Sequence, residues 1–142
     1  HQPAQLPDVM ATFLYLSGVE YPATYSDREI KPLEGKSFKE TFHNGNHQRE
    51  VLYFEHEGNR AIRKGKFKMV AKKNQPWELY DMDLDRSELH DISNSHPEII
   101  EELSELYFSW AKRCDVLEFD DLRAIRQPKF REQRERERAL KK

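Results

Sequence analysis

The segment that decides the fold reads VLYFEHEGNRAIRKGKFKMVAKKNQPWELYD, residues 51–81. It contains four short runs rich in strand-forming residues, at 51–54, 61–63, 67–71 and 77–81. Turn signals separate the runs: Gly58-Asn59, Lys64-Gly65 and Asn74-Gln75-Pro76. Short strands joined by tight connections predict a four-stranded antiparallel meander.

A helix over residues 97–113 is predicted to cover the apolar face of this sheet, because an isolated sheet is unstable in water. Its apolar side chains recur at helical spacing: Ile99, Leu103, Leu106 and Trp110, with Ile100 and Tyr107 adjacent. Ser95 and Glu98 form a capping-box pattern, and Pro97 suits the first turn.

Residues 8–17 are predicted to form a shorter helix, capped by Asp8 and ended by Gly18. This helix is apolar on nearly all sides, so it requires burial on more than one face. A loop is expected over 19–36, followed by a short helix at 37–42. The predicted fold class is therefore α+β: a four-stranded antiparallel meander packed by one long C-terminal helix, preceded by a short apolar helix and loops.

The composition is poor in the residues that build a core. Of the 142 residues, 37 % are hydrophobic and 35 % are charged, with a formal net charge of −2. Residues 129–142 carry seven basic and three acidic side chains, so this tail is +4 and the rest of the chain is −6. Two explanations fit: part of the chain is a solvated or disordered tail, or the chain is a piece of a larger body. We divide it into a linking segment at 1–49, a sheet-and-helix unit at 50–122 and a charged tail at 123–142.

Several classes of protein are excluded. A single cysteine, Cys114, rules out a disulfide framework and a multi-cysteine zinc site. No apolar run is long enough to span a bilayer, and no signal peptide is recognised. Interleaved Glu residues weaken the field of the basic tail, so nucleic acid is not an expected partner.

A calcium loop is not expected where aspartates cluster. Asp81, Asp83 and Asp85 have the spacing that opens such a loop. Arg86 and Ile92 then occupy the positions that require Gly and Glu. The cluster is interpreted as a strand end that runs into a turn.

Neither the paired histidines nor the cysteine predicts a reactive centre. His43 and His47 have a spacing that suits zinc on a helix, but Gly45 lies between them and no third ligand is near. Cys114 follows a predicted helix, whose negative C-terminal end disfavours a thiolate. A polar loop and a structural cysteine are the better interpretations.

The chemically richest stretch is Glu55-His56-Glu57-Gly58-Asn59-Arg60, at the tip of a predicted hairpin. Such side chains could bind a polyhydroxy or anionic substrate. The alternative is that hairpin tips are simply polar. No nucleophile–base pair and no metal cage accompanies them in the sequence.

Several motifs in order resemble the C-terminal subdomain of type I sulfatases. Residues 7–14, PDVMATFL, resemble the family pattern Asp-x-x-Pro-Thr-x-Leu, with Ala11 in place of proline. Residues 53–70 resemble its first hairpins, and 77–82, WELYDM, its "ELYDL" strand. Arg86 stands where that family frequently has proline, and residues 96–98 resemble the start of its closing helix.

This resemblance implies that the chain is part of an alkaline-phosphatase-like sulfatase and that it lacks the catalytic residues of that family. The family nucleophile is a formylglycine made from the Cys of C-x-[PA]-S-x-R, and Cys114 does not stand in that motif. The family's metal ligands, usually for calcium, lie upstream as well. The fragment is therefore expected to be inactive and to pack against an absent catalytic domain of the same chain. A periplasmic or secreted location would follow from the family if the source is bacterial.

One transfer of site residues follows from the resemblance, because the family's C-terminal sheet borders the active-site cleft. The matching hairpin positions are His56, Glu57, Asn59 and Arg60, predicted to bind a sulfated small molecule or glycan. The alternative function is a self-standing interaction module that uses the sheet face and the charged tail.

Overall fold

The computed structural model describes residues 2–47 and 49–140, without the side chains of residues 129, 131 and 133–140. It contains three α-helices, six strands and two short 3-10 helices in these residues. In chain order they are α1 (Leu6–Ser17), β1 (Thr24–Tyr25), β2 (Arg28–Glu29), a 3-10 helix (Lys39–His43), β3 (Val51–His56), β4 (Asn59–Lys64), β5 (Phe67–Ala71), β6 (Glu78–Asp81), a 3-10 helix (Ser93–Ser95), α2 (Pro97–Arg113) and α3 (Phe119–Leu140).

The predicted meander is confirmed. Strands β3, β4, β5 and β6 pair in sequence order, and every pair is antiparallel. The first turn differs by one residue from the prediction, because Glu57 and Gly58 occupy it and Asn59 already belongs to β4. Both turn residues have positive φ, 53° and 85°, as a two-residue hairpin of this type requires. The sequence did not predict a left-handed backbone conformation at Glu57, because glutamate seldom adopts one.

The core lies between one face of the sheet and α2, as predicted. Ile62, Met69 and Leu79 project from successive strands onto Leu103 and Tyr107 of the helix, and all five side chains are buried. Around them the Tyr53 ring stacks on Trp110 at 5.0 Å, and Trp77 meets Tyr107 edge-on at 5.4 Å. Sheet alternation thus places the apolar set of all four strands under one helix.

The start of α2 departs from the predicted capping box. His96 rather than Ser95 immediately precedes the helix, and it makes no side-chain cap. Its Nδ1 lies 3.3 Å from the Glu98 carboxylate instead. Pro97 holds the first helical position, where its missing N–H leaves nothing unsatisfied.

Helix α1 begins two residues earlier than predicted and buries little of its apolar surface. Gln5 is its N-cap and Asp8 lies inside the first turn, so the prediction that Asp8 caps the helix is wrong. Gly18 ends the helix at φ 69°, as predicted. Its large apolar side chains are mostly exposed: Leu6, Met10, Phe13, Tyr15 and Leu16.

The loop over 19–36 contains a small hairpin, in which β1 and β2 have two residues each, that the sequence did not indicate. The charged tail is helical, one of the two states expected for it, and α3 continues through Pro128. Since α3 begins at Phe119, the division at 122/123 falls within a helix and stays a prediction. In the described residues, no helix has the length and apolar character needed to cross a membrane.

Candidate functional site

The tip of the β3–β4 hairpin carries two of the four predicted substrate-binding residues on one face. His56 pairs with Asn59 across the hairpin, on the sheet face opposite α2. We call this the open face; on β3 and β4 it carries Leu52, Phe54, His56, Asn59, Ala61 and Arg63. The structure therefore brings His56 and Asn59 together.

Arg60 is separated from these residues because it points to the helix side of the sheet. Its guanidinium lies 4.7 Å from the Trp77 ring and 5.9 Å from the Phe108 ring. Its Nε is buried without a hydrogen-bond partner in the described residues. Arg60 thus packs on aromatic side chains, while Glu57 is exposed in the turn.

An open groove of about 720 Å³ leads from the start of α1 to His56. Most of its lining is apolar or aromatic, from α1, β3 and the end of α2; it includes Leu6, Pro7, Tyr53, Phe54, Trp110 and Val116. His56, Glu55, Glu34 and Arg49 add polar groups. The groove therefore combines an apolar wall with an imidazole at one end, an arrangement typical of ligand sites.

Cys114 also lines the groove, but it is not a candidate nucleophile. Burial raises the pKa of its thiol, and the neighbouring Glu34 carboxylate acts in the same direction. Glu34 itself forms a two-pronged ion pair with Arg113, at 2.7 and 2.9 Å. A thiol that is harder to ionise than usual agrees with the structural role predicted from its position.

The beginning of α3 holds the hairpin tip from the other side. Lys73 forms an ion pair with Asp120, and its ammonium lies 4.6 Å from the centre of the Phe119 ring. Both polar atoms of the Asn59 amide are bonded: its nitrogen donates to the His56 carbonyl at 2.9 Å, and its oxygen accepts from the Lys73 N–H at 3.2 Å. The hairpin tip that carries His56 is therefore held by contacts to the turn after β5 and to α3.

A buried ionic cluster at the root of β3 was missed by the sequence reasoning. Asp8 is 0 % exposed, and its carboxylate lies 3.3 Å from His47 Nε2 and 3.2 Å from Arg49 Nη1. It also accepts backbone N–H groups of Gln5 and Lys36, each at 2.8 Å. A cap-like aspartate next to an apolar helix carries no local signal that its partners lie some forty residues away.

The balance of these contacts keeps Asp8 ionised. Burial raises the pKa of its carboxyl, but hydrogen bonds from Gln5, Lys36 and His47 and the charge of Arg49 outweigh burial and lower the pKa below its usual value. His47 is therefore a partner of Asp8 in this structure rather than half of a pair with His43.

The described residues contain no group of three side chains with the arrangement of a metal site. Asp81, Asp83 and Asp85 are used in a turn, as predicted. The Asp81 carboxylate accepts the Asp83 N–H at 3.0 Å and pairs with Lys66. The Asp85 carboxylate accepts two backbone N–H groups from the following loop, each at 2.8 Å.

The sequence and the fold were compared with those of known proteins. An uncharacterised sulfatase of Schizosaccharomyces pombe is 30 % identical over 122 residues, which are 80 % of this chain and 22 % of that protein. The structure of BT4656 in complex with D-glucosamine-2-N,6-O-disulfate matches 79 % of this chain and 25 % of that one, with a TM-score of 0.59 and 27 % identity. The chain corresponds to the C-terminal subdomain of a sulfatase.

The fold is shared more widely than the sequence. Ps i-CgsB matches 79 % of this subdomain and 25 % of its own chain at a TM-score of 0.62 and 23 % identity, and it has also been solved with a neocarrahexaose. No family model matches the chain. The subdomain spans about a fifth to a quarter of the length of these relatives.

Replacing Asp8 by Asn tests the buried cluster. We expect Asp8→Asn to lower the free energy of unfolding at pH 7 by about 3 kcal/mol, because Arg49 is left buried without its counter-charge. The lowered pKa of Asp8 predicts that its contribution is present above the unfolded value near 3.8 and is lost as pH falls through the folded pKa. Urea unfolding at several pH values measures the loss of unfolding free energy and its pH dependence, and Asp83→Asn, at an exposed position, is the control. An equal loss of unfolding free energy in the two variants would contradict the expectation.

Replacing Gly58 by Ala tests the contact between the hairpin and α3. The new Cβ would meet Lys73 Cγ at 3.0 Å and Phe119 Cβ at 3.1 Å, at a backbone φ of 85°. Gly65 occupies the turn between β4 and β5 at φ 56° with nothing near its Cβ, so Gly65→Ala carries the backbone strain alone. We expect Gly65→Ala to cost about 1 kcal/mol and Gly58→Ala clearly more in thermal or urea unfolding. The same cost in both would show that α3 does not hold the tip.

Proposed function

We propose that this chain is the non-catalytic C-terminal part of a sulfatase that hydrolyses sulfate esters of a glycan. The observation that carries the proposal is the likeness over 79 % of the chain to BT4656, which was solved with a disulfated glucosamine. The exposed polar tip beside an apolar groove is compatible with a surface that borders such a substrate.

The described residues do not fit the reactive groups of a sulfatase. Cys114 is followed by Asp115-Val116-Leu117-Glu118 and so lacks the C-x-[PA]-S-x-R motif of the formylglycine precursor. The carboxylates of Asp81 and Asp85 are occupied by backbone N–H groups and Lys66, and the described residues contain no group arranged to hold a metal there. We therefore assign formylglycine and the divalent metal to a catalytic domain outside this chain.

Within the chain we assign substrate contact to the exposed end of the hairpin. The imidazole of His56 is exposed on the open face, and Glu57 is exposed in the turn next to it. Since both polar atoms of the Asn59 amide are already bonded, Asn59 positions the tip. Arg60 supports the tip from the opposite face through Trp77.

The apolar surface of α1 favours a catalytic domain as partner over a self-standing module. Leu6, Phe13 and Leu16 are each 60 % or more exposed, on a helix that contributes only Ala11 to the apolar core. Leu6 also lines the groove, and exposed apolar areas of this kind mark interfaces. The proposed partner is the catalytic domain of the longer protein that would contain these 142 residues.

The first test is activity. The 142-residue chain is expected to show no turnover of an aryl sulfate or of a sulfated glucosamine with calcium present. The coding sequence upstream of this segment is expected to encode a C-x-[PA]-S-x-R motif. Turnover above background by the chain alone, or an upstream frame without that motif, would contradict the proposal.

The second test is a substitution in the longer protein that contains this chain. We expect His56→Ala to raise KM for the sulfated glycan about tenfold, because a hydrogen bond to a charged group is lost. His90→Ala, a change of the same residue type in an exposed loop, is the control and should leave KM unaltered. An unchanged KM and kcat in His56→Ala would remove His56 from the site.

A further inference from the structure

A basic hollow lies at the end of the open face away from His56. Its volume is about 350 Å³, and its lining residues are Gln2, Pro3, Arg63, Met82 and Arg86. A second hollow of about 460 Å³ shares Pro3 and Arg63 with it and adds Leu52, Glu50 and Lys64 among others. Among the described residues, two arginines and no acidic residue thus line the smaller hollow.

Arg63 and Arg86 differ from several cations of the sheet, which are paired with an acid or, like Arg60, packed on an aromatic ring. Each of four lysines on or beside the strands has an acidic partner: Lys64 with Glu102, Lys66 with Asp81, Lys68 with Glu88 and Lys73 with Asp120. Arg49, at the edge of the larger hollow, is paired with Asp8. In the described part of the chain, neither Arg63 nor Arg86 forms an ion pair. Their charges are therefore available to an anion from outside.

The orientation of Arg63 suits such an anion. Its Nε donates to the Gly65 carbonyl at 3.2 Å, which anchors the guanidinium and leaves both terminal nitrogens unengaged by that bond. A guanidinium fork binds tetrahedral oxyanions through two parallel N–H groups. Met82 and Pro3 provide an apolar wall, which reduces competition from water.

We infer that Arg63 and Arg86 form a second anion site that takes a sulfate group of a sulfated oligosaccharide. The inference rests on the proposed function, because it places this site on the same surface as His56. Leu52 pairs with Arg63 and His56 with Asn59, so the two sites share a face and are four residues apart along β3. At about 3.4 Å per residue the separation is about 14 Å, which requires an oligosaccharide rather than a single sugar to reach both.

Arg86 departs from the sulfatase pattern that this sequence resembles. It stands where the sulfatase pattern frequently has proline, which carries no charge and no donor. The site therefore determines which sulfated oligosaccharides are preferred, while the chemical step stays with the catalytic domain.

Binding to the 142-residue chain tests the inference without any turnover. The ligand is a chemically defined sulfated tetrasaccharide, followed by NMR titration at fixed salt, with its desulfated form and inorganic sulfate in parallel. We expect the sulfated sugar to shift resonances of Arg63 and Arg86, and the desulfated sugar to leave them unchanged. Equal shifts with both sugars would overturn the inference. It would also be overturned if inorganic sulfate bound at the two arginines and the sulfated sugar did not.

Variants of equal charge separate a site from diffuse attraction. Arg63→Gln and Arg86→Gln are each expected to weaken binding of the sulfated sugar about tenfold, as expected when bonds to a charged group are lost. Lys72→Gln and Arg123→Gln remove one exposed cation elsewhere and should weaken it less than twofold. A similar loss in all four would overturn the inference. Arg86 is exposed, so its variant retains the fold even if Arg63→Gln does not.

The failure of this inference and the failure of the proposed function can be told apart. If the longer protein lacks sulfatase activity but the chain binds the sulfated sugar through Arg63 and Arg86, the catalytic proposal fails and the anion site stands. If the longer protein is active and the arginine variants bind normally, the anion site fails alone.

Discussion

The buried carboxylate of Asp8 holds together three parts of the chain that are distant in sequence. It receives the Gln5 and Lys36 N–H groups and faces His47 and Arg49, so α1, the loop before the 3-10 helix and the root of β3 meet at one anion. An unpaired charge in such a place costs several kcal/mol, whereas one with four partners is tolerated. The carboxylate therefore selects one arrangement of these segments, since any other leaves it unpartnered.

This anchoring has a consequence for the opposite end of β3. The strand is fixed at its root by the Asp8 cluster and at its tip by Asn59, Lys73 and the start of α3. Between these ends, Tyr53 is held by its stack on Trp110 and by its carbonyl, which accepts the Gln5 amide at 2.8 Å. A side chain at the tip such as His56 is thus displayed by a strand with little freedom, which is what recognition of a ligand of fixed shape requires.

The sequence predicted the parts of the fold that depend on local periodicity. Alternation over 51–81 and helical spacing over 97–113 were sufficient for the meander and its covering helix, because both patterns are repeated many times. Single-residue details were missed where a distant partner decides. The predicted cap, Asp8, instead serves His47 and Arg49, and the first turn shifted to Glu57-Gly58, where Glu55 accepts the Gly58 N–H at 2.8 Å. For the site, sequence order placed His56 and Arg60 at one tip, but alternation across the turn sends them to opposite faces.

Part of the high charge content is explained by ion pairs between the lysines of the sheet and acidic residues elsewhere in the chain. The sheet lysines reach acids on four different elements: α2, β6, the loop before α2, and α3. Exposed pairs of this kind contribute about 0–1 kcal/mol each, so their value lies in favouring one set of neighbours over others. In the described chain, Arg63 and Arg86 have no acidic partner, although both line one hollow. Cations that line one hollow and that the fold leaves without a counter-charge are the kind of local inconsistency that marks a binding surface rather than a structural one.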